Sequence, residues 1–340
     1  MAHDRAPRLA SSRATRSRVA RRAAEDSALN GYAAPWWLPG GHLQTLYPSL
    51  HPPARVALQR ERWETPDGDF IDVDFAGERA ASRLLVLFHG LEGCSDSHYA
   101  RAFAAQALSS GWRLAMPHWR GCSGEPNRKP RAYHSGDSEE VDWILRKFCS
   151  PVHAIGISLG GNALLKWLGE RGDEARSIVR RAATVSAPID LSAAGRALDR
   201  GINREVYTRH FLSTLKPKSL AKLALFPGLC DRAKLRAART FREFDDTVTA
   251  PLHGYRDADD YWRRASSGPW LERVRVPTLL LNARNDPFLP EHELLAAARY
   301  AARSLVLEFP RTGGHVGFLA GPFPGRHDWL PRRLLEFLSP

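Results

Sequence analysis

Cysteine is scarce in this chain: four residues in 340, Cys94, Cys122, Cys149 and Cys230, scattered without metal-ligand spacing. A chain of this length buries a core without covalent staples, so neither a disulfide framework nor a zinc-type site organises it. The thiols read as reduced, in a bacterial cytoplasmic protein. Long apolar runs are missing too. No stretch approaches the roughly 18 uninterrupted apolar residues of a spanning helix, and the N-terminus lacks the apolar core of a secretory signal. Lysine is rare, with seven residues against 42 arginines. That bias runs the whole length of the chain, and a GC-rich bacterial genome explains it more simply than a transit peptide.

The formal charge of +12 does not make this a nucleic-acid-binding protein. Residues 1–24 hold seven arginines against Asp4 alone, so half of the excess lies in an Ala/Ser/Arg-rich segment without apolar periodicity. Residues 1–30 are expected to be a disordered basic tail, which leaves room for weak attraction to anionic surfaces.

What is present, at 43% hydrophobic residues, is enough for one large α/β domain with an insertion. Residues 56–64 and 69–76 flank Pro66-Asp67-Gly68 as an antiparallel hairpin. Strands at 84–88, 112–117, 153–157 and 181–186 then alternate with helices at 97–110, 138–148 and 159–170. That alternation predicts a mostly parallel central sheet with helices on both faces. Asp137 with Glu140 has the spacing of a helix-capping pair. About ninety residues separate the strand near Val185 from the next near Leu279, where a crossover needs about thirty. The surplus predicts a helical cap over residues 188–275, inserted between core segments 31–187 and 276–340. Its helices are expected at 190–199, 203–216, 219–225 and 231–244, broken at Gly201, Pro217 and Pro227. Leu198, Tyr207, Phe211, Leu212, Leu223 and Phe226 then face either the main domain or an acyl pocket.

The chemistry is concentrated in Gly156-Ile157-Ser158-Leu159-Gly160, placed between an apolar strand-like run and a helical one. A serine at the apex of a sharp strand-to-helix turn needs small neighbours, because a Cβ on either side would crowd the returning chain. The helix start aims free N–H groups at the same spot. Alone, the pentapeptide is equally a turn with Ser158 as its N-cap. Two other segments decide between these readings. Pro277-Thr278-Leu279-Leu280-Leu281-Asn282-Ala283 is a buried strand that runs into Asp286, and Ser304–Phe309 is another that runs into Thr312-Gly313-Gly314-His315. Asp286 before Pro287 could be a turn residue and His315 a surface one. Serine, then acid, then histidine, each at a strand's carboxyl end, is instead the order of the α/β-hydrolase triad.

Leu84–Phe88 followed by His89-Gly90-Leu91-Glu92-Gly93 is the strand and loop that supply a second oxyanion donor in that fold. The two donors are then the backbone N–H groups of Leu91 and Leu159, and His89 is expected to brace the loop rather than move protons.

These residues resemble the YheT-like α/β-hydrolase family, the AB hydrolase 4 branch related to ABHD1/2/3-type lipases. The resemblance extends through Pro35-Trp36-Trp37-Leu38-Pro39-Gly40-Gly41-His42-Leu43-Gln44-Thr45-Leu46, the loop from His89 to Tyr99, Arg131-Ala132-Tyr133-His134-Ser135-Gly136-Asp137, the serine turn, Phe244–Pro251, and the Asp286 and His315 loops. It implies a serine hydrolase acting on carboxylic esters, short- to medium-chain esters or acylglycerols, through Ser158, Asp286 and His315 and without metal or organic cofactor. An alcohol O-acyltransferase would use the same triad, and a ligand-binding protein on a hydrolase scaffold would have no need of it.

Overall fold

The computed structural model describes residues 31–339; the basic tail lies outside the described residues. Helix α1 (Gly41–Leu50) precedes strands β1 (Gln59–Glu64), β2 (Phe70–Ala76) and β3 (Leu84–Phe88). Then follow α2 (His98–Ser109), β4 (Arg113–Pro117), α3 (Ser138–Arg146), β5 (Val152–Ile157), α4 (Leu159–Arg171) and β6 (Val179–Val185). The stretch after β6 holds α5 (Leu191–Leu198), α6 (Arg209–Leu225), α7 (Arg232–Ala237), α8 (Phe241–Phe244) and α9 (Ala258–Ala265). Strand β7 (Thr278–Leu281), α10 (Glu291–Ala297), β8 (Leu305–Glu308) and α11 (Trp329–Leu338) follow.

All eight strands share one sheet in the order β1-β2-β4-β3-β5-β6-β7-β8. The pairs β1–β2 and β2–β4 are antiparallel and the other five are parallel. Parallel strands buried on both faces need apolar residues at every position, which is why Leu84–Phe88 and Thr278–Leu281 carry runs rather than alternation. Successive side chains still go to opposite faces. Val86 and Phe88 pack with Ile144 of α3 and Leu164 and Trp167 of α4, whereas Leu85 and Leu87 pack with Phe103 of α2 and Leu334 of α11. Each such side chain, fully withdrawn from water, contributes about 1.5–3 kcal/mol.

The hairpin is joined by charge. Register places Arg60 opposite Asp74 and Arg62 opposite Asp72, and each guanidinium donates two hydrogen bonds, at 2.7 and 2.8 Å, to its carboxylate. The alternation Arg-x-Arg against Asp-x-Asp is therefore a cross-strand ladder.

The helices between β6 and β7 differ from expectation in two places. The break expected at Pro217 does not occur, and α6 runs from Arg209 through it to Leu225. The lost N–H costs about 3 kcal/mol in a helix interior. Ties on either side of the proline oppose it: Lys216 donates to the carbonyls of Arg236 and Ala238, and Lys222 to that of Asn127 at 2.8 Å. The helix expected over 231–244 is in turn divided into α7 and α8, the second opened by a Thr240–Glu243 capping box. Outside this stretch, Asp137 occupies the N-cap of α3, yet its side chain makes no cap hydrogen bond and accepts one from Arg131 instead. The opposite charge of Arg131 outcompetes a neutral N–H.

Among the described residues no helix is long and apolar enough to cross a membrane, no His/Cys/Asp/Glu group could hold a metal ion, and the four cysteines are unpaired.

Burial opposes ionisation of Asp74, but hydrogen bonds from Arg60, His118 and Ser95 outweigh it and hold the carboxyl well below its usual range. A depressed carboxyl stabilises the fold above its unfolded value, about 3.9, and loses that contribution as pH falls through the folded value. Asp74→Asn is therefore expected to cost on the order of 2 kcal/mol at neutral pH. It should also flatten the decline in melting temperature from about pH 5 to about pH 2. Calorimetric scans across that range check both, and a decline as steep as the parent's refutes the assignment.

Candidate active site

Ser158 sits where β5 turns into α4, with φ 51° and ψ −117°, a region that non-glycine residues occupy only under strain. Its neighbours leave no room for side chains. A Cβ on Gly156 would lie 2.5 Å from the Gly160 carbonyl oxygen, and one on Gly160 would lie 2.4 Å from the Phe88 carbonyl oxygen. The returning helix thus crowds Gly156, as expected, while Gly160 is crowded by the end of β3. The Ser158 N–H donates to the Val185 carbonyl at 2.8 Å, tying the turn to β6.

The structure brings the three residues of the expected triad together. His315 Nε2 lies 2.9 Å from Ser158 Oγ, and His315 Nδ1 lies 2.8 Å from Asp286 Oδ2. The Asp286 side chain is fully buried, and its other oxygen accepts the Phe288 N–H at 2.8 Å. The Phe288 ring packs on the imidazole at 4.1 Å between centroids.

What holds these loops is α1, to which the sequence reading attached no role. Gln44 Oε1 accepts from Gly313 N and from Asn285 Nδ2, each at 2.9 Å, while its Nε2 donates to the Leu38 carbonyl at 2.8 Å. Thr45 Oγ1 accepts the His315 N–H at 2.9 Å, and Asn285 Oδ1 accepts that of Gly314 at 3.0 Å. Acid loop, histidine loop and helix are thus one hydrogen-bonded unit. The signal that could have found it is glycine at both contacts. A Cβ on Gly41 would fall 2.0 Å from the Asn285 carbonyl oxygen, and one on Gly317 would fall 1.9 Å from that of Gln44. Asn162, also passed over, is fully buried in the first turn of α4 and donates to the carbonyls of Ser135 and Ala265, both at 2.8 Å.

The loop after β3 is a turn closed by Gly93 N donating to the Gly90 carbonyl at 3.0 Å. His89 is buried behind it: Nδ1 is 2.8 Å from the Gly90 carbonyl and Nε2 accepts the Trp119 N–H at 3.1 Å. Burial, helped by nearby His118, lowers its pKa to about 3, so the ring braces the loop as a neutral group. Gly90 N and Glu92 N donate to the hydroxyls of Tyr99 and Tyr133. Among the described residues the Leu91 N–H meets no acceptor. Leu159 heads α4, where no intrahelical acceptor exists.

Ser158, His315, Leu91 and Leu159 line one cavity of about 500 Å³, roofed by residues of α5, α6 and α8. Of the six apolar residues in question, Leu198 and Phe211 line it. Tyr207 packs on Phe288, and Leu212 packs with Leu235 and Phe244 between helices. Leu223 is buried, and Phe226 lies outside the lining. His134 and His253 also line the cavity, each lowered to about 3 by burial first, with Arg131 the next cause at His134 and the neighbouring His134 the next at His253.

Sheet order and helical layers define the class as α/β hydrolases, and the family described as alpha/beta hydrolase fold matches residues 83–322. The Escherichia coli (strain K12) protein named "Putative esterase YheT" is 39% identical over 88% of this chain and 90% of its own length. Mouse phospholipase ABHD3 is 29% identical over 84% of this chain and 72% of its own. Among solved structures, an esterase from Exiguobacterium antarcticum, 16% identical, matches with a TM-score of 0.55 over 83% of this chain and 100% of its own, a likeness of fold. The chain belongs to the α/β-hydrolase family, in the YheT-like branch related to ABHD3.

Gln44→Ala would leave the Gly313 N–H, the Asn285 amide and the Leu38 carbonyl without their partner. At about 1–3 kcal/mol for each buried group so orphaned, and with partial relaxation, a loss of roughly 3 kcal/mol is expected in urea unfolding. A loss below about 0.5 kcal/mol, the range of ordinary surface changes, would show that Gln44 does not hold the loops.

Proposed function

We propose that the protein hydrolyses carboxylic esters by two-step acyl transfer through Ser158, His315 and Asp286. The observation that carries this is the unbroken hydrogen-bonded line from Asp286 Oδ2 to His315 to Ser158 Oγ, ending in an apolar cavity. Asp286 orients the imidazole, with Nδ1–H toward its carboxylate, and steadies the imidazolium. His315 Nε2 takes the serine proton as Oγ attacks the ester carbonyl. The N–H groups of Leu91 and Leu159 receive the oxyanion, His315 returns the proton to the departing alcohol, and water repeats the cycle on the acyl-enzyme. Relatives named esterase, phospholipase and, in yeast, monoacylglycerol lipase support an ester substrate. The helices over residues 188–275 act in this reading as a cap that receives the acyl chain.

Ser158→Ala is expected to cut turnover by about 10⁶-fold with the fold intact. Fluorophosphonate treatment of the parent should give one adduct, on Ser158, read by peptide mass spectrometry. Label on another serine, or an active alanine variant, rejects the assignment.

The cap sets chain-length preference in this reading, and cavity lining separates two phenylalanines. Each methylene buried in an apolar tunnel is worth about 0.8 kcal/mol, so k for successive esters (kcat/KM) should climb by up to about fourfold per CH₂ until the space is full. Phe211→Ala is expected to move the optimum to longer p-nitrophenyl esters, whereas Phe226→Ala should leave it in place. Identical profiles for both variants and the parent would remove the cap from selectivity.

A further inference from the structure

We propose that Glu92, Tyr133 and Lys218 are positioning residues: they hold the Gly90–Gly93 turn so that the Leu91 N–H points at the reacting carbonyl, and Lys218 makes that alignment depend on α6 lying over the cavity. This rests on the ester-hydrolase reading of the site and adds how its oxyanion donor is held.

Three of the turn's four N–H groups are committed. Gly90 N donates to Tyr99 Oη at 3.0 Å, Glu92 N to Tyr133 Oη at 2.9 Å, and Gly93 N to the Gly90 carbonyl at 3.0 Å. Only the Leu91 N–H is left for a ligand, among the described residues. Its aim depends on Glu92, which has φ 55° at the third position of the turn. A left-handed conformation there is ordinary for glycine or asparagine and costs a glutamate roughly 1 kcal/mol or more. Relaxation to the right-handed form would rotate the Leu91–Glu92 peptide and disturb the adjoining N–H, and hydrogen bonds weaken steeply with angle.

The side chain of Glu92 opposes that relaxation. Tyr133 Oη accepts the Glu92 N–H and donates to Oε1 of the same residue at 2.9 Å, clasping backbone and carboxylate together. Lys218 Nζ completes the cluster, 3.0 Å from Oε1 and 2.9 Å from Oε2. The carboxylate is 8% exposed and the lysine 45%, so Lys218 reaches in from solvent to a charge that is costly to leave alone. One helical turn on, Lys222 donates to the Asn127 carbonyl at 2.8 Å, so two lysines on one side of α6 fasten it across the cavity mouth. Leu91 itself packs against both the sheet core and the cluster around Trp262 in the cap. The lysine end of the pair is half-exposed, and its own contribution to global stability is modest. Its place against the turn gives it a different use.

The test compares Lys218→Met, Lys218→Arg and Tyr133→Phe with the parent on p-nitrophenyl butyrate. A displaced oxyanion donor weakens the transition state and spares substrate binding. Lys218→Met and Tyr133→Phe should therefore lose about 10- to 100-fold in kcat with KM within about twofold, somewhat less than outright loss of a donor. Binding of a trifluoromethyl ketone, which forms an oxyanion on Ser158, should weaken by a similar factor. Lys218→Arg should recover most of the rate, and the melting temperature of Lys218→Met should stay within a few degrees of the parent. A kcat within twofold of the parent in Lys218→Met, a change confined to KM, or an arginine variant as impaired as the methionine one overturns the inference. Fluorophosphonate separates the two levels. A parent protein not labelled at Ser158 removes the ester-hydrolase reading itself, whereas a labelled parent with Lys218→Met labelled at the parental rate removes this inference alone.

Discussion

The structure depends on a steric constraint at the end of β5: the chain reverses from strand to helix with no room for a Cβ at Gly156 or Gly160. Ser158 absorbs the strain of that reversal in its own dihedrals. Such a conformation persists only where its surroundings over-determine it. Here they do so from both sides, with the Ser158 N–H bound to β6 and Gly160 pressed against the carbonyls of Phe88 and His89 at the end of β3. The contact with β3 has a second effect. It sets the serine turn against the start of the Gly90–Gly93 loop, so the nucleophile candidate and the loop offering a free N–H are placed by one piece of packing.

The histidine is placed by a different means. Its loop is anchored in the core by Val316 and Phe318 and takes polar support from Gln44 and Thr45 of α1 and from Asn285 of the acid loop. Each bond is worth about 1 kcal/mol net. Their weight lies in what removal leaves behind, since buried donors and acceptors without partners cost more than the bonds contribute. Close approach is what makes the bonds possible, and the glycines at Gly41, Gly314 and Gly317 permit it.

Over the cavity, apolar side chains and neutralised polar ones share the lining. Burial holds His134 and His253 uncharged near neutrality, so the cavity wall carries hydrogen-bonding capacity there without charge. Its cations stand in bonds: Arg120 with Asp67, Asp69 and Glu140, Arg131 with Asp137, Lys218 with Glu92, and Lys222 with the Asn127 carbonyl. The ties made by Lys216, Lys218 and Lys222 also account for a helix that continues through Pro217, where local propensity alone would end it.

Local pattern and order determined a good deal. Apolar runs and their glycine ends located strands β3 to β8 to within about two residues, because a strand buried on both faces has no other composition available. The order of Ser158, Asp286 and His315 at strand ends named three residues that lie 157 and 29 positions apart and meet within 3 Å. Tertiary structure alone decided the rest. Whether Phe211 or Leu212 faces the cavity depends on how α6 is rolled against its neighbours, and both faces of that helix are apolar enough for either. Asp137 sits at a cap position yet binds Arg131, a partner that local spacing does not reveal. Gln44 and Lys218 act on residues 241 and 126 positions away. Periodicity reports which way a side chain points from its own element. Only the packed fold reports what it meets there.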